Sequence, residues 1–399
     1  MSPKREGPHA FLRRIDEEPP KGKELPIERV RLERSRERLL ANFQIIQELA
    51  GDRFMLPMLK ADAYGHGMEW AAKTLLAEPK LFGFGVATLT EGEELRAALG
   101  ARHRKLPVIC FSGATGWSEQ KAQRFAAGKL TPVLTSVEDV RSFVRRKDFE
   151  SVSWHIMFNT GMNRLGIATP QVTEIADIVR KLPENARPEG ILSHLACAEA
   201  PNDALTERQL KEFSQIERAL RIVLPSGIFH LANSAGIWNE KLLSLSSITQ
   251  LVRPGLSLYG IPPWAAAPVR GLQPVMAVEA PVLQVHKLKS GDRIGYGGTF
   301  RVTGTEPTYA AILDVGYADG LHRSLSNQGW VWLGERRRRI LGVVSMDLCA
   351  VECDPTTAPG QWAELWGPNV NPWEQAQAAQ TIPYELMTSW SKRVLRKDG

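Results

Sequence analysis

The sequence predicts an α/β fold, a (β/α)8 TIM-type barrel followed by a C-terminal mostly-β domain, and three observations carry that expectation. Between residues 54 and 252, eight short apolar runs alternate with helical patterns, as expected of strand–helix repeats feeding a parallel sheet. After Pro262 the texture changes: PPWAAAP breaks the pattern, and period-2 runs separated by turns follow. Polar and charged residues gather at one end only of the apolar runs, where a barrel carries its reactive groups.

Taken in order, the first apolar run is 54–59, followed by a helical pattern at 68–77. The second is 83–88; Thr90, with Glu93 three residues on, reads as the capping box of the next helix. The third, 107–111, precedes a helix at 118–127. The fourth, 130–134, leads to a helix from Ser136. The fifth, 152–158, is followed by a helix from Pro170, which suits a first helical turn. The sixth, 191–195, precedes the long amphipathic stretch 206–224. The seventh, 228–232, leads to a helix after Ser234, and 248–252 is the eighth. A doubly wound open sheet is the alternative, but eight regular repeats favour closure. Later strands are expected at 278–287, 309–315, 330–333, 340–344 and 348–352, and the alternating segment 27–31 reads as a strand of the second domain. The expected division is an N-terminal flexible arm over 1–25, a barrel over 26–262 and a β domain over 263–399.

Composition narrows the function classes. The 399 residues are 43% hydrophobic and 24% charged, which excludes a disordered or collagen-like chain. The net charge of +6 accompanies no nucleic-acid motif, so the arginine run 336–339 reads as a solvated face and no nucleic-acid partner is expected. Cys110, Cys197, Cys349 and Cys353 form no C-x-x-C pair and no zinc set; no metal is expected. They read as small core residues of a reducing, cytoplasmic compartment. No run approaches the ~18 apolar residues of a membrane span, and the charged, Pro-rich N-terminus has no apolar core of signal-peptide length.

At the strand ends stand Lys60, then Asn159, Met162, Asn163 and Arg164, then His194, then Asn233 and Ser234, then Arg253 and Gly255. Lys60 is the most informative. A lone lysine closing an apolar strand reads first as one that snorkels to the rim. In a barrel mouth beside other polar strand ends, it reads as an amine that loses its charge easily and can condense with an aldehyde. That chemistry suggests pyridoxal phosphate, whose phosphate the loops after the seventh and eighth strands would receive. Competing motifs are weak: FGFG at 82–85 lacks the third glycine of a dinucleotide fingerprint, and there is no Walker A, G-x-S-x-G or H-E-x-x-H.

KADAYGHG at 60–67 resembles the coenzyme-lysine motif of the alanine racemase family. The resemblance continues in order through FGVATLTEGEELR, NTGMNRLG, SHLACA, HLANSAG, VRPGLSLYG, GDRIGYGGTF, GYADG and VSMDLCAVE. It implies a pyridoxal-phosphate racemase that interconverts L- and D-alanine and supplies D-alanine for peptidoglycan. It also implies a head-to-tail homodimer with shared active sites. By motif position, Lys60 would be the Schiff-base lysine and Tyr296 the opposing acid/base. Arg253 would face the pyridine nitrogen, and Tyr64, Ser234 and Gly255 would hold the phosphate. His194 would support Tyr296, and Arg164 would contact the phenolic oxygen. Met346, Tyr317 and Arg323 would shape the substrate end. A guanidinium keeps its proton above ~12 in water, so Arg253 would leave the ring nitrogen unprotonated and disfavour transamination.

The bland readings differ in weight. Tyr296 alone would be a turn aromatic, His66 and His230 read as structural, and Asn233, counted with His194 among the coenzyme-binding residues, has a turn role as its bland alternative. One departure from the family pattern matters. Where many members carry a carbamylated lysine and an Asp, this chain has Met157 and Asn159. A bound anion such as chloride, or the Asn159 amide, is expected to hold Arg164 instead, and strict alanine preference is correspondingly weaker. The alternatives are a serine or lysine racemase of the same fold, an amino-acid decarboxylase, against which Arg253 argues, and a non-catalytic coenzyme carrier, against which the β domain argues.

Overall fold

The structure is a computed structural model that describes residues 29–146, 152–200 and 202–398. The expected arm at 1–25 and the first residues of the expected strand at 27–31 lie outside them. The described chain forms two compact units. One comprises Glu33–Ala277 with Asn371–Trp390 and the residues from Lys397; the other comprises residues 29–32 with Val278–Val370 and Ser391–Arg396.

In the first unit all eight expected strands form: Phe54–Met55, Phe84–Val86, Val108–Cys110, Thr131–Leu134, His155–Asn159, Gly190–Leu192, Ile228–His230 and Leu251–Val252. Strands two to seven pair in parallel in sequence order. The remaining joins close the ring. Strand eight pairs in parallel with strand one, a bridge joins Met58 to Gly85, and another joins Asn233 to Arg253. The open-sheet alternative therefore falls. Leu56, Ile109, Val133, Met157, Leu192 and Leu251 meet in one buried cluster drawn from six strands.

The crossover helices start where short polar side chains satisfy free N–H groups. Ser118 accepts from Lys121 N, Ser136 from Asp139 N and Asp203 from Leu205 N. The capping box after strand two is a correction. TLTE and TEGE overlap in the sequence, and the fold uses the earlier register: Thr88 accepts from Glu91 N and Glu91 accepts from Thr88 N. Thr90 lies inside the helix, and Glu93 instead pairs with Arg124 at 2.5 Å.

The second unit is built on an eight-stranded sheet. Its order is Thr308–Leu313, Cys349–Glu352, Arg337–Leu341, Trp330–Trp332, Trp362–Trp366, Met276–Leu288, Arg31–Arg34, Leu395–Asp398. Met276–Leu288 also pairs antiparallel with Thr308–Leu313, which closes six of the strands on themselves. Register shifts at Val278/Glu279 and Val282/Gln284 bend this long strand, so that it serves two neighbours on one edge. A hairpin of Arg293–Ile294 with Phe300–Arg301 stands off the sheet. No helix of the described residues is long and apolar enough to cross a membrane.

Candidate active site

The barrel unit brings its predicted residues together at the strand ends. Lys60 follows strand one, and the backbone immediately after it is unusual. Ala61, Asp62, Ala63 and Tyr64 all have φ between 52 and 54°, a left-handed turn of L-residues. Such a turn costs roughly 1–2 kcal/mol per residue, so something must hold it. Three groups do. Glu91 accepts from Ala61 N at 2.8 Å, Asp62 accepts from Met68 N at 2.7 Å, and the buried His66 donates through Nδ1 to the carbonyls of Ala63 and Tyr64 at 3.0 Å. His66 is therefore structural, as expected. The strained turn fixes the start of the Lys60 side chain and turns Tyr64 inward.

Within the single chain Lys60 is exposed, yet its Nζ sits among protein groups and its pKa is lowered. Partial burial is the main cause; the Arg164 charge adds to it and Glu91 opposes it. Nζ lies 5.9 Å from the centre of the Tyr64 ring.

After the neighbouring strand eight, Arg253 is buried. It donates to the carbonyls of His230 at 2.9 Å, Ser193 at 2.8 Å and Leu231 at 3.1 Å, and lies 3.1 Å from His230 Nδ1 and 3.4 Å from His194 Nδ1. No ion pair to a carboxylate is among these contacts. Burial lowers its pKa to about 9, below the aqueous value expected from sequence but still charged at neutral pH. His194 is held neutral, its pKa lowered to about 3 by burial first and then by the charges of Arg253, Arg164 and Lys60.

The loops after strands seven and eight meet at Ser234. Its hydroxyl accepts from Gly255 N at 2.9 Å and Ser257 N at 3.4 Å. Asn233 caps the short helix Ser234–Ile237 by accepting from Gly236 N at 2.9 Å, matching the turn reading. Gly255 faces Tyr64: a Cβ there would collide with the tyrosine oxygen and lie 3.0 Å from Cζ. Tyr64 is buried against Tyr259, at 5.0 Å between ring centres, and Tyr384, at 5.9 Å; burial raises its pKa.

Arg164 is exposed, and no carboxylate of the described residues pairs with it. Asn159 does not hold it, which corrects one of the two expectations. The Asn159 side chain is spent on its own loop, accepting from Gly161 N and Asn163 N and donating to Asn163 Oδ1. Met157 packs in the apolar cluster and offers no charge.

In the second unit Tyr296 tops the hairpin, with 75% of its surface exposed. Its turn contains Gly295, Gly297 and Gly298 at φ of 68, 70 and 54°, a backbone that side chains disfavour. Tyr317 and Met346 are also exposed and come from loops joined by Tyr317 N to Ser345 O and Ala318 N to Met346 O. Those loops are pinned by Asp319, which accepts from Gly316 N at 2.9 Å and pairs with Arg393 at 3.3 Å. Arg323 is exposed and opens the short turn Arg323–Leu325. Each unit thus presents its own predicted residues: Lys60, Tyr64, Arg164, His194, Asn233, Ser234, Arg253 and Gly255 on the barrel, and Tyr296, Tyr317, Arg323 and Met346 on the β unit.

Sequence reasoning missed Asp62, Glu91, Tyr259 and Tyr384. Only Glu91 left a signal, as the earlier of two overlapping capping registers. Tyr384 lies far along the chain, and nothing local places it beside Tyr64.

Family models for the alanine racemase N-terminal domain and C-terminal domain match residues 35–263 and 275–398. An alanine racemase of Sorangium cellulosum is 36% identical over 356 residues, 85% of this chain and 90% of that protein. The structure of alanine racemase from Acinetobacter baumannii superposes with a TM-score of 0.82 at 28% identity, covering 94% of this chain and all of the other. That of alanine racemase from Bartonella henselae with covalently bound pyridoxal phosphate does so with a TM-score of 0.81 at 28% identity, covering 93% and 99%.

Proposed function

The chain belongs to the alanine racemase family, and from that premise we propose that it interconverts L- and D-alanine with pyridoxal phosphate as coenzyme. The observation that carries the reading is the pairing of an amine of lowered pKa, Lys60, with a buried guanidinium, Arg253, across one barrel mouth. The residues fit the coenzyme. Gly255 lets the Tyr64 oxygen lie against its backbone, where a Cβ would collide, and Ser234 and Tyr64 offer hydroxyls there. Lys60 would take the aldehyde, Tyr64, Ser234 and Gly255 with Asn233 the phosphate, Arg253 the ring nitrogen, and Arg164 the phenolic oxygen.

When bound, the coenzyme supplies an electron sink that acidifies the substrate's α-hydrogen. The lowered pKa of Lys60 favours the free amine that would accept that proton on one face of Cα. The Tyr296 oxygen, contributed by a second copy of the chain, would deliver a proton to the other face. Arg253 donates hydrogen bonds yet keeps its proton at neutral pH, so it would give none to the ring nitrogen, which would favour return of the proton to Cα, racemisation over transamination. Tyr317, Met346 and Arg323 of the second copy would bound the substrate end. The exposure of Tyr296, Tyr317 and Met346 within one chain supports such a homodimer.

A bound anion such as chloride would balance Arg164, which has no carboxylate partner among the described residues; raising chloride should raise the rate, and no effect would dismiss it. The departure at Met157 and Asn159 favours a second reading, a racemase that also accepts serine or lysine. The four free cysteines support a cytoplasmic workplace, where D-alanine would serve peptidoglycan synthesis. The test is a panel of D- and L-amino acids assayed on the coenzyme-loaded protein beside Lys60→Ala. Loaded protein that leaves both alanine enantiomers unconverted would overturn the reading.

A further inference from the structure

Among the buried polar groups of the barrel, two histidines form a file. His155, on strand five, and His230, on strand seven, are both fully buried, with Nδ1 of the first 3.0 Å from Nε2 of the second. Placing two imidazoles in a hydrocarbon core is unfavourable unless they are paired. Room has been made for them: a Cβ at Gly190 would overlap the His155 ring. At one end of the file, His155 Nε2 lies 3.5 Å from the Glu189 carboxylate, which is a third exposed at the start of strand six and accepts from Ser153. At the other end, His230 Nδ1 lies 3.1 Å from Arg253 Nη1.

The direction of every proton in the file follows from its ends. A guanidinium can only donate, so His230 Nδ1 must accept. A neutral imidazole then carries its proton on Nε2, which donates to His155 Nδ1. His155 in turn carries its proton on Nε2, which faces the Glu189 carboxylate. Burial, with the Arg253 charge and then His155, holds His230 neutral. The chain of donors therefore runs from Arg253 through His230 to His155, whose Nε2 faces the Glu189 carboxylate at 3.5 Å without closing a hydrogen bond on it.

We propose that Glu189 and His155 are positioning residues that act through His230 on Arg253, anchoring the imidazole that steadies the guanidinium while keeping its counter-charge remote from the ring nitrogen. A carboxylate in direct contact would neutralise Arg253 and draw it aside; two neutral rings between them orient it without doing so. Its catalytic meaning rests on Arg253 facing the coenzyme ring.

The test is nitrogen-15 NMR of histidine-labelled coenzyme-loaded enzyme, combined with a partition ratio. The ratio counts how often the amino group is left on the coenzyme, with release of the 2-oxo acid, per racemisation turnover. In the wild type His230 should show a protonated Nε2 and a bare Nδ1. In His155→Leu that Nε2–H loses its acceptor while Arg253 still donates to Nδ1, so the tautomer holds, the Nε2 resonance should move to that of an unbonded N–H, and the ratio should rise about fivefold, the usual reach of one lost hydrogen bond. His155→Gln, whose amide oxygen accepts from Nε2, should restore both readouts. Glu189→Ala should shift both in the same direction by a smaller factor. An unchanged Nε2 resonance and ratio in His155→Leu overturn the proposal. If that variant fails to fold, the same null result in Glu189→Ala overturns it. Arg253→Lys separates the two levels. A raised ratio there with none in His155→Leu sinks the file alone, whereas no change in Arg253→Lys sinks the placement of Arg253 itself.

Discussion

The contact between Gly255 and Tyr64 allows a sharp test of the phosphate end of the site. In Gly255→Ala the new Cβ collides with the tyrosine oxygen and stands 3.0 Å from Cζ and 3.7 Å from Met58 Cβ. The Tyr64 ring has little freedom to yield, because Tyr259 and Tyr384 flank it at 5.0 and 5.9 Å. Overpacking of this kind costs about 1–3 kcal/mol. If the strain is relieved by displacing Tyr64, it appears as about 5- to 150-fold weaker coenzyme binding. Tyr64→Phe alone removes a hydroxyl offered to the phosphate, worth about 0.5–1.5 kcal/mol. In the double variant the colliding oxygen is gone and only the tight Cζ approach remains. Its loss should therefore fall short of the sum of the singles by about 1 kcal/mol. The assay is coenzyme titration of the apoenzyme by absorbance and fluorescence, with thermal unfolding as a fold control. Additivity within about 0.5 kcal/mol would show that the two residues do not share the site.

Four further outcomes follow. Lys60→Ala should lose racemisation and the covalent coenzyme; borohydride reduction of the wild type followed by peptide mass mapping should mark Lys60, and a label elsewhere sinks the assignment. Tyr296→Phe should still exchange the α-hydrogen of one alanine enantiomer with deuterated water while exchange from the other falls at least about a hundredfold, the lower reach of an acid–base group; equal loss from both would refute two-sided chemistry. Glu91→Gln removes the charge that raises the Lys60 pKa, so the pH midpoint for amine labelling of the apoprotein should fall, and unfolding should come about 1–2 kcal/mol sooner as the turn loses an acceptor; a rise in the midpoint contradicts the geometry. Acid should destabilise the fold early. His194 and His230 have folded pKa values below the unfolded ~6.5, so the unfolded chain binds more protons as pH falls. Stability is full above that pH and drops by up to about 2.7 kcal/mol per unit below it, and a urea midpoint that is flat from pH 7 to 5 would refute this.

How much of this was legible depended on whether the signal was local. The eight barrel strands could be placed because each is an apolar run closed by turn residues, and burial on both faces demands such runs. Their ladders are shorter than the runs. Phe54–Met55 is two residues where the apolar stretch is six, because Pro57 has no N–H to give the ladder, although Met58 still bridges to Gly85. Trp362–Trp366 and Leu395–Asp398 were not anticipated, since their alternation is brief and partly charged. The helices Pro372–Ala378 and Pro383–Thr388 begin at proline, a readable start signal, yet nothing in their sequence says that they pack with the barrel unit and bring Tyr384 against Tyr64.

The site residues divide along the same line. Lys60, Arg253 and Ser234 were visible because polarity at the end of an apolar strand is anomalous on its own. His155 lies inside a run that reads as strand, and His230 reads there only as structural. Their meaning comes from a partner 75 positions away and from a glycine whose missing Cβ leaves room for a ring. A linear pattern records that a residue is buried, not what it is buried against. For a group whose cost in a core depends on its pairing, the second fact decides the function.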